Sequence, residues 1–325
     1  ALLNRTPLLR RADIRKANIL GKAMNIIIDR LVKPLFVSVV MLTLTTSASF
    51  ADHHQSSPSF TEVQVTSNIL MLQGKGGNLA LLSGGQGLVL VDDDYQEMSA
   101  ALTDAIADNG GLDKLTYIIN THWHGDHTGG NLALGGHATI VAHDNVRTRL
   151  LSAQEIKLFN MKSEPYPEQA LPSVTYTSSL SLHINEEHVE LIHLANGHTD
   201  GDSVVFFKNA NVVHMGDHFF NGMFPFVDVG TGGNVFTLTD NIDRVLDLID
   251  ENTKVIPGHG PLANKKDLQD FHTMLVATSS SVKMMAGKGQ SLDQIQAAGL
   301  GAQWSSWTKG VLSEDVWISI IHNSL

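Results

Sequence analysis

Ile119-Asn120-Thr121-His122-Trp123-His124-Gly125-Asp126-His127-Thr128-Gly129-Gly130-Asn131 packs four metal-binding side chains, His122, His124, Asp126 and His127, into six positions. Upstream, Leu115-Thr116-Tyr117-Ile118-Ile119 is a short apolar, β-rich run of the kind that forms a buried strand. A chain leaving such a strand in extended form points alternate residues the same way, so His122 and His124 are placed to grip one ion. Gly125 is a small pivot, and the turn after it directs Asp126 and His127 elsewhere, to hold a second ion beside the first. The loop follows the C-terminal end of its strand, which is where ligand sites collect in layered α/β folds.

Working outward from this loop, the chain resembles the metallo-β-lactamase superfamily, whose signature His-x-His-x-Asp-His stands intact as His122-Trp123-His124-Gly125-Asp126-His127. Further segments are similar in the family's order over roughly residues 60–265: Asn196-Gly197-His198-Thr199-Asp200-Gly201-Asp202, Met215-Gly216-Asp217, and Val255-Ile256-Pro257-Gly258-His259-Gly260. The resemblance implies an αββα sandwich of α/β class with the metals at one edge of the sheets. It implies that His122, His124 and His198 bind one metal, that Asp126, His127 and His259 bind another, and that Asp217 bridges the two. Imidazole and carboxylate ligands suit zinc, so two Zn2+ per chain are expected, with Fe and Mn also compatible with the signature. On the same footing Asp126 is the catalytic residue, orienting the attacking hydroxide and later helping to protonate the leaving group. Asp92, closing Leu88-Val89-Leu90-Val91, is expected beneath the metals as an orienting carboxylate. His214 and His218 flank Asp217, and the remaining histidines, His143 and His193 among them, carry no such pattern.

The expected reaction is metal-dependent hydrolysis that opens a cyclic amide or ester of a small-molecule substrate, with β-lactam-type substrates favoured by the export pattern described below. A lactonase or a glyoxalase II-like thioesterase is the alternative. The chain has no cysteine, so the thiolate ligand of the cysteine-containing β-lactamase class is absent and Asp217 stands in its place. The run His218-Phe219-Phe220-Asn221-Gly222 also lacks the lysine or serine that holds the drug's carboxylate in those enzymes. Two other readings remain: a mononuclear iron enzyme resembling the superfamily's sulfur dioxygenases, and a metal-binding protein without turnover.

The N-terminal region carries its own pattern. Met24 to Lys33 is followed by the apolar run Leu35 to Leu44 and by Ser49-Phe50-Ala51, which reads as a signal peptide over residues 24–51 cleaved before Asp52. The apolar run is short of the roughly 20 residues that span a bilayer, so no stable membrane anchor is expected after cleavage. Residues 1–23 read as a segment upstream of the true start, and the destination as the periplasm or the exterior. Eight Lys/Arg and two Asp/Glu fall in residues 1–51, so the formal charge of −11 becomes −17 for residues 52–325. A surface so acidic repels nucleic acid, whose binding depends on cations neutralising phosphates. Without cysteine there are no disulfides, and residues 52–325 must bury a core as one domain. The sequence does not set the oligomeric state.

The remaining pattern predicts strands at Thr61–Leu72, Asn78–Ser83, Gly87–Val91, Thr116–Asn120 and Ala138–Ala142, then at Val174–Ile184, His188–Leu194, Ser203–Lys208, Ala210–Met215 and Lys254–Ile256. Helices are expected near Met98–Asp108, Asn145–Lys162, Val235–Ile249 and Lys265–Ala286, with a packed helical end containing Trp304, Trp307 and Trp317. Gly74-Lys75-Gly76-Gly77 is either a flap over the metals or a plain hairpin turn. Phe219, Phe220, Phe224 and Phe226 are either pocket wall or core.

Overall fold

Apolar runs that alternate which face they bury decide the architecture of the computed structural model, which describes residues 58–325. In the strand Gly87–Val91, Leu88 and Leu90 pack outward against a helix, while Val89 and Val91 pack inward against a second sheet. A strand covered on both faces reads as a continuous apolar run because its period-2 alternation is apolar on each side.

The first sheet contains β1 (Thr61–Gln64), β2 (Ile69–Gln73), β3 (Asn78–Gly84), β4 (Gly87–Val91), β5 (Leu115–Ile119) and β6 (Thr139–His143), in that order. A hairpin of β7 (Gln154–Ile156) and β8 (Met161–Ser163) stands apart, and β9 (Val174–Tyr176) closes the first sheet beside β6. The second sheet runs β10 (Ser179–Ile184), β11 (Glu187–His193), β12 (Ser203–Phe207), β13 (Val212–His214), β14 (Lys254–Ile256) and β15 (Ala263–Asn264). β4, β5, β6 and β9 are parallel neighbours, as are β13 and β14. The ends of these parallel strands supply most of the candidate site.

Between the sheets lie Met71, Val91, Ile119 and Val141 from one side and Leu191, Val205, Phe207 and Ile256 from the other. Helix α1 (Ser99–Asp108) covers the outer face of the first sheet with Leu102, Ala105 and Ile106, the i, i+3, i+4 stripe of an amphipathic helix. The short α2 (Gly125–Thr128) and α3 (Asn131–Leu134) follow the histidine loop, and α4 (Asp144–Leu150) follows β6. The second sheet is covered by α5 (Val235–Leu248) and α6 (Lys265–Gly287), then by α7 (Leu292–Ala298) and α8 (Glu314–Asn323). Asn234 caps α5 by accepting from Phe236 N and Thr237 N, and Asn264 with Asp267 forms a capping box at α6. The layers are therefore helix, sheet, sheet, helix, as expected.

Three elements differ from the sequence reading. Thr61–Leu72 is two strands, because the Thr66 hydroxyl accepts from Ile69 N and turns the chain between them. The helix expected over Asn145–Lys162 stops at Leu150, and the rest is the β7–β8 hairpin, turned through a left-handed Asn160 at φ +51°. Val174–Ile184 divides between the two sheets as β9 and β10. In the C-terminal part Trp317 is fully buried and donates to Thr278 Oγ1 at 3.1 Å, whereas Trp304 and Trp307 are partly buried. The proposed signal segment and its cleavage site lie outside the described residues. Among the described residues no helix is long and apolar enough to cross a membrane.

Candidate metal centre

β5 ends at Ile119, and the next five residues run along the lip of the first sheet before α2 begins. Asp92, at the end of β4, fixes this lip by accepting from Thr121 N at 2.7 Å and Thr121 Oγ1 at 2.8 Å. His124 has extended backbone (φ −62°, ψ 149°), so the i, i+2 pair shares a side, and α2 then carries Asp126 and His127 away from it. His198 comes from the turn between β11 and β12. That turn is tied down by Asp202, whose carboxylate accepts from His198 N at 2.7 Å and Thr199 N at 2.8 Å. Asp217 follows β13 and His259 follows β14, so the parallel pair of the second sheet delivers them to the same rim.

These seven side chains fall into two groups. His122, His124, His198 and Asp217 bring one donor atom each within 4.8 Å of one another, and so do Asp126, His127 and His259. Asp217 stands between the groups. Its Oδ2 is 3.4 Å from His198 Nε2 and 3.8 Å from His122 Nε2, while its Oδ1 is 3.1 Å from His127 Nε2 and 3.4 Å from His259 Nε2. The ring atoms His198 Nε2 and His124 Nδ1 lie 2.9 Å apart. Asp126 Oδ2 is 3.4 Å from His259 Nε2 and 3.8 Å from His127 Nε2.

Outer partners aim four of the five rings. His127 Nδ1 is 2.7 Å from Asp92 Oδ2, His124 Nε2 is 3.2 Å from Asp228 Oδ2, His198 Nδ1 is 2.8 Å from the Phe226 carbonyl, and His122 Nδ1 is 3.1 Å from Thr121 Oγ1. Each bond occupies one ring nitrogen and leaves the other facing the centre, the arrangement found around metal-binding histidines. His259 is instead stacked on Phe220, with ring centroids 4.9 Å apart.

Divalent metal ions fit this donor set on two observations. His122 Nε2, His127 Nε2 and Asp217 Oδ1 are buried without a hydrogen-bond partner, a costly condition in a protein interior unless something binds there. The centre also attracts positive charge. Burial opposes protonation of His259, yet Asp217 and Asp126 carry it up to about 9. Burial would raise Asp126, but His127 and His259 hold it down at about 2.

The backbone closes tightly around these groups. A Cβ on Gly77 would stand 2.2 Å from His127 Cε1, and one on Gly258 would stand 2.1 Å from Asp217 Oδ1. The loop containing Gly77 is the turn between β2 and β3, bound to Asp94 through Lys75 N at 3.0 Å and Gly76 N at 2.8 Å. Lys75 and Gly76 line a cavity of about 310 Å3 that opens on Asp126, Asp217 and His259. Of the four phenylalanines in question, Phe220, Phe224 and Phe226 line that cavity, while Phe219 is core.

Sequence reasoning missed Asp228, which lies in an irregular stretch with no motif around it, and the structural parts played by Asp94 and Asp202. A signal for Asp94 existed: Asp92-Asp93-Asp94 is a run of three acids ending an apolar strand, and all three are fully buried. His214 and His218 are buried beside the centre but bond elsewhere, His214 Nε2 to the Asn78 carbonyl at 2.9 Å and His218 Nε2 to Asn241 Nδ2 at 3.2 Å.

The family model described as the metallo-beta-lactamase superfamily matches residues 74–259. A beta-lactamase-like protein 2 homolog of Caenorhabditis elegans is 26% identical over 197 residues, covering 59% of this chain and 58% of the nematode protein's length. A probable metallo-hydrolase of Methanocaldococcus jannaschii is 28% identical over 207 residues, covering 61% of this chain and 95% of that protein. Among solved structures, a metallo-beta-lactamase from Pontibacter korlensis superposes with a TM-score of 0.54 at 18% identity, covering 67% of this chain and 99% of that one.

Proposed function

This chain belongs to the metallo-β-lactamase superfamily, and we propose that it is a zinc-dependent hydrolase with two ions per chain that cleaves a cyclic amide or ester. The observation that carries the reading is Asp217, whose two oxygens face the two donor groups separately while His122 Nε2 and His127 Nε2 are left without partners. His122, His124 and His198 would hold one ion, Asp126, His127 and His259 the other, with Asp217 common to both. Bound zinc supplies a water acidified to a pKa near 7 and a Lewis acid for the oxygen that gains charge.

The chain's own residues supply the rest. Asp126 is on the cavity wall, with Oδ2 turned to His259, and its Oδ1 is assigned to orient the attacking water and to pass a proton to the leaving atom. Asp92 and Asp228 keep the His127 and His124 rings in the tautomers that leave Nε2 and Nδ1, respectively, as electron-pair donors. Phe220, Phe224 and Phe226 exclude water from one side of the cavity.

A panel of nitrocefin, a simple lactone and a glutathione thioester, each assayed with and without chelator, tests the reading. Chelator-sensitive cleavage of any of them supports it, and wild-type activity in His122→Ala contradicts it. Export before Asp52 is proposed on the sequence alone. N-terminal sequencing of the protein from a periplasmic or culture fraction tests that, and a start at Met24 would contradict it.

A further inference from the structure

We infer that the substrate presents an uncharged, apolar chain next to its scissile carbonyl, and that the β7–β8 hairpin and the C-terminal segment form the wall that receives it. The inference rests on the hydrolase reading above and names the substrate class of that site. The cavity beside Asp126 and His259 is walled by Ile156, Phe159 and Met161 of the hairpin, by Phe224 and Phe226, and by Val311. Three of these remain open to solvent: Phe159 is 37% exposed, Met161 39% and Val311 85%. Apolar side chains gathered in the open around a concave site mark a surface that a ligand covers.

The wall reaches the candidate centre through aromatic contacts. The Phe159 ring meets Phe226 with centroids 4.9 Å apart, and Phe226 in turn lies 5.8 Å from the His124 ring and 5.6 Å from His198. A chain lying along Phe159 and Phe226 therefore begins at the reacting carbonyl. The volume, about 310 Å3, is at the small end for ligand pockets, which limits the chain to a compact one.

Charge disfavours the main alternative, a substrate anchored by a carboxylate. Lys75 is the single Lys or Arg among the lining residues. Its ammonium is already paired with Glu97 and lies 5.6 Å from the centre of the Tyr95 ring. Arg147 and Arg149 do not line the cavity and are paired elsewhere, Arg149 with Asp200 at 2.7 Å and Arg147 with Glu168 at 3.0 Å. Away from Lys75, Tyr95 and the metal donors, the wall is apolar, formed by Ile156, Phe159, Met161, Phe224, Phe226 and Val311, with no group there to anchor a carboxylate. Val311 lies beyond residues 74–259, so part of the selectivity is built by a stretch that the family match does not cover.

The test is a series of p-nitrophenyl esters from acetate to octanoate, with the succinate monoester as the charged counterpart of butyrate. The zinc-loaded full chain is compared with Phe159→Leu and Phe159→Asp. The expected result is a rise in kcat/KM of about fourfold per methylene until the pocket fills, and a succinate rate at least about tenfold below butyrate. Phe159→Asp is expected to collapse the ratio of octanoate to acetate, and Phe159→Leu to keep most of it. A readout without turnover accompanies these: 2-octanone should raise the melting temperature of the wild type, in chelator, and not that of Phe159→Asp. Binding of the ketone by the wild type alone, with no ester cleaved, supports the apolar site and rules out an open-chain ester as the substrate. Ester cleavage with a flat chain-length series, or a preference for succinate, overturns the inference and leaves the hydrolase reading standing.

Discussion

Asp92→Asn isolates the contribution of one buried carboxylate to metal affinity. Asp92 is fully buried at φ +58°, a left-handed conformation that Asn tolerates as readily as Asp, so the substitution preserves backbone and volume. The Asn oxygen can still accept from Thr121 N, now 2.7 Å away, and the Thr121 hydroxyl can rotate to accept. The change falls on His127. In the wild type its Nδ1 donates to Asp92 Oδ2 across 2.7 Å, which leaves Nε2 as an electron-pair donor. Opposite an Asn amide N–H, Nδ1 must accept, the ring proton moves to Nε2, and the atom aimed at Asp217 can no longer donate an electron pair to a metal. A charge-assisted hydrogen bond contributes about 1.5–3 kcal/mol, which is roughly 10- to 150-fold in affinity. Losing an outer partner of a metal-binding histidine weakens metal affinity by about 10- to 100-fold. Titration of apoprotein against a chromophoric zinc chelator should therefore show one class of site weakened by that factor, with the other nearly unchanged. Equal affinity for both ions in Asp92→Asn and the wild type would refute the tautomer argument, and with it the assignment of His127 to an ion.

Three other perturbations address separate parts of the structure. Asp228→Asn removes the carboxylate 3.2 Å from His124 Nε2 and should weaken the group of His122, His124 and His198 by about tenfold or more in the same titration; a loss confined to the other group would contradict the assignment. Gly258→Ala puts a Cβ 2.1 Å from Asp217 Oδ1 and 2.5 Å from the Gly216 carbonyl, so calorimetry should show a loss of about 1–3 kcal/mol with reduced metal content; wild-type values for both would rule out the close approach. His143 and His193 are stacked 3.6 Å apart, and burial, joined for His193 by the charge of His143, holds both below the ordinary histidine pKa. The unfolded chain therefore takes up protons first, so this stability is fully present above about pH 6.5 and declines as pH falls toward the folded values. The melting temperature of His143→Gln/His193→Gln should drop less than that of the wild type from about pH 7.5 to about pH 5; an equal or larger drop would exclude the pair.

The residues that sequence reasoning brought together share a local signal. His122, His124, Asp126 and His127 occupy one loop whose strand and turn are written in adjacent residues, and Asp92 ends a four-residue apolar run. The β7–β8 hairpin was illegible because its apolar residues, Ile156, Phe159 and Met161, face the cavity and neighbouring segments, a tertiary choice that periodicity within Asn145–Lys162 does not express. Asp228 was invisible for a related reason, since its partner His124 lies more than 100 residues away. Val311 joins the wall from a C-terminal stretch tied to Phe224 by the backbone bond from Phe224 N to the Trp307 carbonyl and by the stacking of Phe224 on Trp317, features far along the chain from the histidine loop and in no local pattern.

The central claim is tested most directly by quantifying metals in the purified protein and assaying it against the substrate panel before and after chelation. The account predicts about two zinc ions per chain, with hydrolysis lost to chelator and restored by zinc. About one iron per chain with oxygen consumption, or hydrolysis indifferent to metal removal, would contradict it.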